Sequence, residues 1–133
     1  MIYEDRRLKE KQLCVLAVDD SADVLALIKL SLEAKTQWRI ILSSSAQEAL
    51  IKAKRELPDI ILSDFQMPKM NGVEMVRKLR SQPQTNRIPI LFLTSLPQLV
   101  PSRILNDCKL TKTIRKPLNW YNLADLVVLG FNS

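Results

Sequence analysis

Three unbroken apolar runs, each ending in a polar or acidic residue, constrain this chain more than any other feature. Residues 13–18 are six consecutive apolar side chains followed by Asp19 and Asp20. Residues 59–63 carry Ile60, Ile61 and Leu62 into Asp64, and residues 88–93 lead into Thr94 and Ser95. A strand with one wet face alternates apolar and polar residues, so a strand that is apolar throughout is covered on both faces, as in a parallel sheet. Shorter strands are predicted over 38–42 and 112–115.

The segments between the strands read as helices. Residues 21–34 place Val24, Leu25, Leu27, Ile28 and Leu32 on one stripe. Ser45 and Glu48 form a capping box for a helix that stops before Pro58. Residues 65–72 contain Pro68, Asn71 and Gly72 and form a loop of about eight residues. Asn71 and Glu74 then cap a helix that ends near Ser81, with Val73, Val76 and Leu79 inward. Residues 97–106 are expected as a fourth helix, with Pro97 before it and Pro101 in its first turn. A final amphipathic helix is expected over 119–129. Strands alternating with helices give an open, doubly wound α/β sheet with right-handed crossovers.

A chain of 133 residues, 47% apolar and 26% charged, is expected to form one domain, at 13–129, between a charged extension at 1–12 and a tail at 130–133. Residues 6–12 are expected to be solvated. The excess of 20 Lys and Arg over 14 Asp and Glu is dispersed and lacks an interleaved aromatic platform, so direct nucleic-acid binding is not expected. Cys14 and Cys108 lack metal-ligand spacing and are expected to be reduced. Neither a signal peptide nor a membrane span is visible, so a cytoplasmic protein without membrane contact is expected.

Ligands of doubly wound sheets bind at the carboxyl ends of the strands. Asp19, Asp20, Asp64, Thr94 and Lys116 all fall there. Three crowded carboxylates require a cation, and an oxygen-only set without His or Cys favours Mg2+. Mg2+ beside a carboxylate, with Lys116 and Thr94, suits phosphoryl transfer, because the transferred group spreads negative charge over its oxygens. Asp64 is the expected nucleophile. A carboxylate is ionised at neutral pH and needs no general base, which fits a chain with no His.

The chain resembles the receiver domains of two-component response regulators. The resemblance rests on Val18, Asp19, Asp20 and Ser21, on Asp64, on the segment from Met67 through Pro68 to Asn71 and Gly72, on Leu93, Thr94 and Ser95, and on Arg115, Lys116 and Pro117. It implies a flavodoxin-like five-stranded parallel sheet in the order 2-1-3-4-5. It also implies a phosphoacceptor, Asp64, served by a histidine kinase or a histidine phosphotransfer protein, and a downstream protein target. Asp20 and Asp64 would contact Mg2+ directly, Asp19 largely through water, and the Gln66 backbone carbonyl would complete the protein ligands. Lys116 would pair with the phosphoryl oxygens, Thr94 would act as the trigger, and the bond from Lys116 to Pro117 would be cis. Apolar Leu96, with Gln66, implies slow to moderate self-dephosphorylation.

Two departures bear on output. Thr113 stands where the family commonly has an aromatic switch residue, and Pro97 and Pro101 alter the fourth helix. Trp120 and Tyr121 could contribute to another output face. Met67 and Met70 read as packing residues. The chain stops soon after the last expected helix, which suggests a stand-alone switch. The alternative is a receiver-like scaffold that binds partners without phosphorylation. An aspartate phosphatase is disfavoured because Phe65 and Gln66 follow Asp64 where a second acid would be wanted, and a flavin protein because acids occupy the place of a phosphate-binding loop.

Overall fold

Each of the three apolar runs becomes an interior strand of one parallel sheet. The computed structural model describes residues 8–105, 111–116 and 119–132. The strands are β1 (Cys14–Val18), β2 (Arg39–Ser43), β3 (Ile60–Asp64), β4 (Ile90–Thr94) and β5 (Thr111–Arg115). The helices are α1 (Ala22–Glu33), α2 (Ala46–Glu56), α3 (Gly72–Arg80), α4 (Ser102–Leu105) and α5 (Leu123–Asn132). The strand order is β2-β1-β3-β4-β5 with every pairing parallel, so the flavodoxin-like fold is the one observed.

Alternate residues of the interior strands feed two cores. Leu16, Val18, Ile61, Ile90 and Phe92 pack with Ala49, Ala53, Met75 and Leu79 of α2 and α3. Val15, Ala17, Leu62, Leu91 and Leu93 face the other way, towards Leu25, Ile28 and Leu32 of α1 and Leu123, Val127 and Val128 of α5. With both faces covered, no strand residue in the middle of the sheet can be charged without stranding that charge. The carboxylates are thereby confined to the strand ends.

Local signals set the helix starts. Ser21 Oγ accepts from Val24 N at 3.2 Å, Ser45 Oγ from Glu48 N at 3.1 Å and Asn71 Oδ1 from Glu74 N at 3.1 Å. Each cap satisfies an N–H that the helix itself leaves without a partner. α2 ends at Leu57, held in the left-handed region at φ 49°, immediately before Pro58. A glycine is the usual occupant of such a position.

Three expectations need correction. The fourth helix is broken: a 3-10 turn at Pro97–Leu99 is followed by extended Val100 and then by α4. Pro101 supplies no N–H and biases Val100 away from helical angles, so the two pieces cannot merge. Residue 106, the expected end of that helix, lies outside the described residues. The last helix is also different, because Asn119 caps a 3-10 turn at Trp120–Asn122 and α5 then continues to Asn132 rather than ending at residue 129. Finally, the charged extension is not a free tail over its described part. Residues 8–10 form a helical turn, Leu8 joins the α1 and α5 core, and its carbonyl accepts from Trp38 Nε1 at 2.8 Å. Lys9 pairs with Asp125. Among the described residues no helix is long and apolar enough to cross a membrane.

Candidate functional site

The strand order reverses between β1 and β3: the chain leaves β1 for one edge, returns to β3 on the other side, and so opens a crevice at their carboxyl ends. Asp19 and Asp20 follow β1 and Asp64 ends β3. One oxygen from each of these carboxylates lies within 4.8 Å of the other two. Lys116, which follows β5, reaches across so that Nζ stands 3.7 Å from Asp19 Oδ2 and 3.9 Å from Asp64 Oδ2. Its backbone N–H donates to Thr94 O at 2.8 Å, which continues the ladder of β4 and β5 to the rim.

The environments of the three acids differ. Asp19 is buried, Asp64 is half-buried and Asp20 is exposed. Asp19 N donates to Ser43 O at 3.1 Å, and Asp19 Oδ1 accepts from Ser21 N at 2.9 Å. The same carboxylate is thus fixed by the first turn before α1. Burial pushes the Asp19 carboxyl above the ordinary carboxylate range, against the opposing pull of the Ser21 N–H and Lys116. Burial likewise raises Asp64, opposed by Lys116 and by the Gln66 N–H, which donates to Asp64 Oδ1 at 3.3 Å. Among the described residues one ammonium, that of Lys116, stands beside Asp19 and Asp64 in a cluster of three carboxylates, so these groups together carry excess negative charge whenever all are ionised.

Oxygen-only donors in this number fit Mg2+. At Mg–O distances of about 2.0–2.1 Å, octahedral ligands stand about 2.9 Å apart when adjacent and about 4.1 Å when opposite. An oxygen spread of up to 4.8 Å is compatible with two direct carboxylate ligands while the third acts through water. Gln66 adjoins the Asp64 carboxylate through its backbone, and its exposed side chain leaves that flank accessible.

Thr94 is buried at the end of β4, and its Oγ1 accepts from Leu96 N at 3.1 Å, closing a short turn. Its hydroxyl thus remains able to donate. The structure brings Asp19, Asp20, Asp64 and Lys116 together and places Thr94 on the adjoining strand end. Pro117, with the expected cis bond, lies outside the described residues, as does Cys108. Cys14 is a free thiol.

Two features of the rim escape sequence reasoning. Asp20 borders an open cavity of about 420 Å3 shared with Ser44, Ser45, Gln47, Met67, Pro68 and Lys69. Lys69 holds φ at 71°, an uncommon conformation for a residue with a side chain. The other is a packing device: Phe65, directly after Asp64, meets Phe92 edge-to-face with centroids 5.1 Å apart, and both rings abut Gly72. Met67 is buried in the same core and Met70 packs against it, as expected. Thr113 pairs with Phe92 across β4 and β5 and is half-buried. Tyr121 is exposed, with Lys35 Nζ 3.6 Å from its ring centroid.

Comparison with known proteins agrees with this arrangement. The family described as response regulator receiver domain matches residues 15–128. The chain is 38% identical over 81 residues to the alkaline phosphatase synthesis transcriptional regulatory protein PhoP of Bacillus subtilis, covering 61% of this chain and 32% of that protein. It is 38% identical over 82 residues to the response regulator PleD of Caulobacter vibrioides, covering 62% of this chain and 18% of that one. The chain thus spans about a third or less of the length of these relatives. The solved structure of the chemotaxis response regulator CheY4 of Vibrio cholerae superposes with a TM-score of 0.76 at 30% identity, covering 90% of this chain and 99% of that one.

Proposed function

Because the chain belongs to the response regulator receiver domain family of two-component signalling, we propose that Asp64 is its phosphoacceptor and that a phosphohistidine on a kinase or phosphotransfer protein is the donor. The observation that carries this reading is the convergence of Asp64 with Asp19, Asp20 and Lys116 at the point where the strand order reverses. An Asp64 oxygen attacks phosphorus, the phosphorus–nitrogen bond of the donor breaks, and the released imidazole recovers a proton. Asp20 and Asp64, with the Gln66 carbonyl, would hold Mg2+ directly and Asp19 through water. Bound there, Mg2+ supplies positive charge that lets two anions approach.

Lys116 orients the phosphoryl oxygens and offsets their charge. Thr94 exchanges its turn contact for a phosphoryl oxygen, which transmits the event to β4. Exposed Leu96 can neither accept nor donate a side-chain hydrogen bond to an attacking water, so the aspartyl phosphate hydrolyses at a slow to moderate rate. The role is that of a signalling domain rather than a turnover enzyme, with a protein contact as output. The reading is tested by fluorine NMR of the chain with beryllofluoride, a phosphoryl mimic, with and without Mg2+. Bound resonances that require Mg2+ and vanish in Asp64→Ala are expected; their absence from the wild-type chain would favour a scaffold that is never phosphorylated.

A further inference from the structure

α2 and α3 pack side by side on the sheet and leave a groove of about 360 Å3 between them. Leu50, Ile51 and Leu79 give it an apolar lining, Lys54 and Lys78 stand on it, and Gln82 lines the same groove. Ile51 is 66% exposed, an apolar branched side chain left facing solvent. Among the described residues no carboxylate lines this groove.

On α2, Lys52 is neutralised by Glu48 one turn away, as Lys29 is by Glu33 on α1. Lys54 has Leu50 and Pro58 at the corresponding positions, so its own helix offers it no acid there. Lys78 does have Glu74 one turn earlier, yet among the described residues neither lysine makes an ion pair. Two unpaired ammonium groups beside an exposed apolar surface repel each other and attract a ligand that brings negative charge together with something apolar.

We propose that this groove docks an acidic segment of a partner protein. One apolar side chain would rest on Leu50, Ile51 and Leu79, and flanking carboxylates would meet Lys54 and Lys78. The volume suits one large side chain with the backbone on either side, a recognition mode in which a few anchors supply most of the affinity. The surface is separate from the phosphoacceptor. α2 and α3 begin at the carboxyl ends of β2 and β3, where Ser45 and Asn71 cap them, whereas Lys54, Lys78 and Leu79 sit in their second halves. A donor at Asp64 and a partner in the groove can therefore bind together, and the proposal stands apart from the assignment of Asp64.

The test is an NMR titration of the full chain with a synthetic peptide that carries one phenylalanine flanked by glutamates. Saturable amide shifts confined to the groove are expected around Leu50, Ile51, Lys54, Lys78, Leu79 and Gln82. The double variant Lys54→Glu, Lys78→Glu should weaken binding at least about tenfold, since both contacts turn from attractive to repulsive. Both positions are exposed, and a circular dichroism spectrum equal to the wild type will establish that the variant is folded. Shifts spread over basic residues of every element, equal binding of the double variant, equal binding of polyglutamate without the phenylalanine, or no shift at millimolar peptide would each overturn the proposal.

Discussion

Valine in place of Gly72 is expected to cost about 3 kcal/mol of stability, at the upper end of what overpacking does. A Cβ at this position would lie 2.8 Å from Phe65 Cε1 and 2.8 Å from Phe92 Cε1. The two rings meet at 89°, and Phe92 is fully buried, so neither can yield without opening the core beneath α3. Glycine is required here for close approach and not for its backbone angle, because φ at Gly72 is not positive. Asn71 caps the helix at this point, and Gly72 N donates to Phe65 O at 2.9 Å, so the backbone is tethered on both sides of the clash. Urea unfolding will show a lower midpoint at unchanged slope. A Gly72→Val chain as stable as the wild type would refute this account of the packing.

Asp64→Asn is expected to abolish phosphoryl acceptance and at the same time to stabilise the metal-free protein at neutral pH. Burial raises the carboxyls of Asp19 and Asp64 in the folded state above their ordinary values. Between the unfolded value, about 3.9 for Asp, and the raised folded value, the native chain holds more protons than the unfolded chain. Stability therefore falls as pH rises through that window, and the loss is complete above it. Neutralising Asp64 removes its own share and lowers the repulsion on Asp20. Thermal melts in EDTA should show a higher midpoint for Asp64→Asn at neutral pH and a flatter decline from the acid side. Mg2+ is expected to act oppositely: a ligand at about 100 times its Kd stabilises the native state by about 2.7 kcal/mol, and that gain should shrink in the variant. Equal melting of both chains in EDTA at every pH, with equal gains from Mg2+, would show that Asp64 does not belong to the charged cluster.

The sequence is legible where one residue type carries the whole signal. Residues 13–18 and 60–62 are apolar at every position and too short for a buried helix, as in a strand covered on both faces, and the acids after them mark the rim. Ser45 and Asn71 announce their helices because cap and third residue lie close together in the chain. Signals that depend on distant partners are silent. Leu8 stands alone among charges, and its contact with Trp38 spans 30 residues, so nothing local separates it from a solvated tail. The break at Val100 was hidden because the spacing of Pro97 and Pro101 also suits a single helix with one proline in its first turn. Leu57 in the left-handed region, the triangle of Phe65, Phe92 and Gly72, and the groove at Ile51 exist only once helices and sheet have packed.

The central claim is that Asp64 takes up a phosphoryl group with the help of a divalent cation. Intact mass of the chain after incubation with a small acyl phosphate and Mg2+ tests it most directly, with EDTA and Asp64→Ala in parallel. The account predicts a gain of one phosphoryl group that EDTA prevents and the variant lacks. No gain in the wild-type chain, or an equal gain in Asp64→Ala, would contradict it.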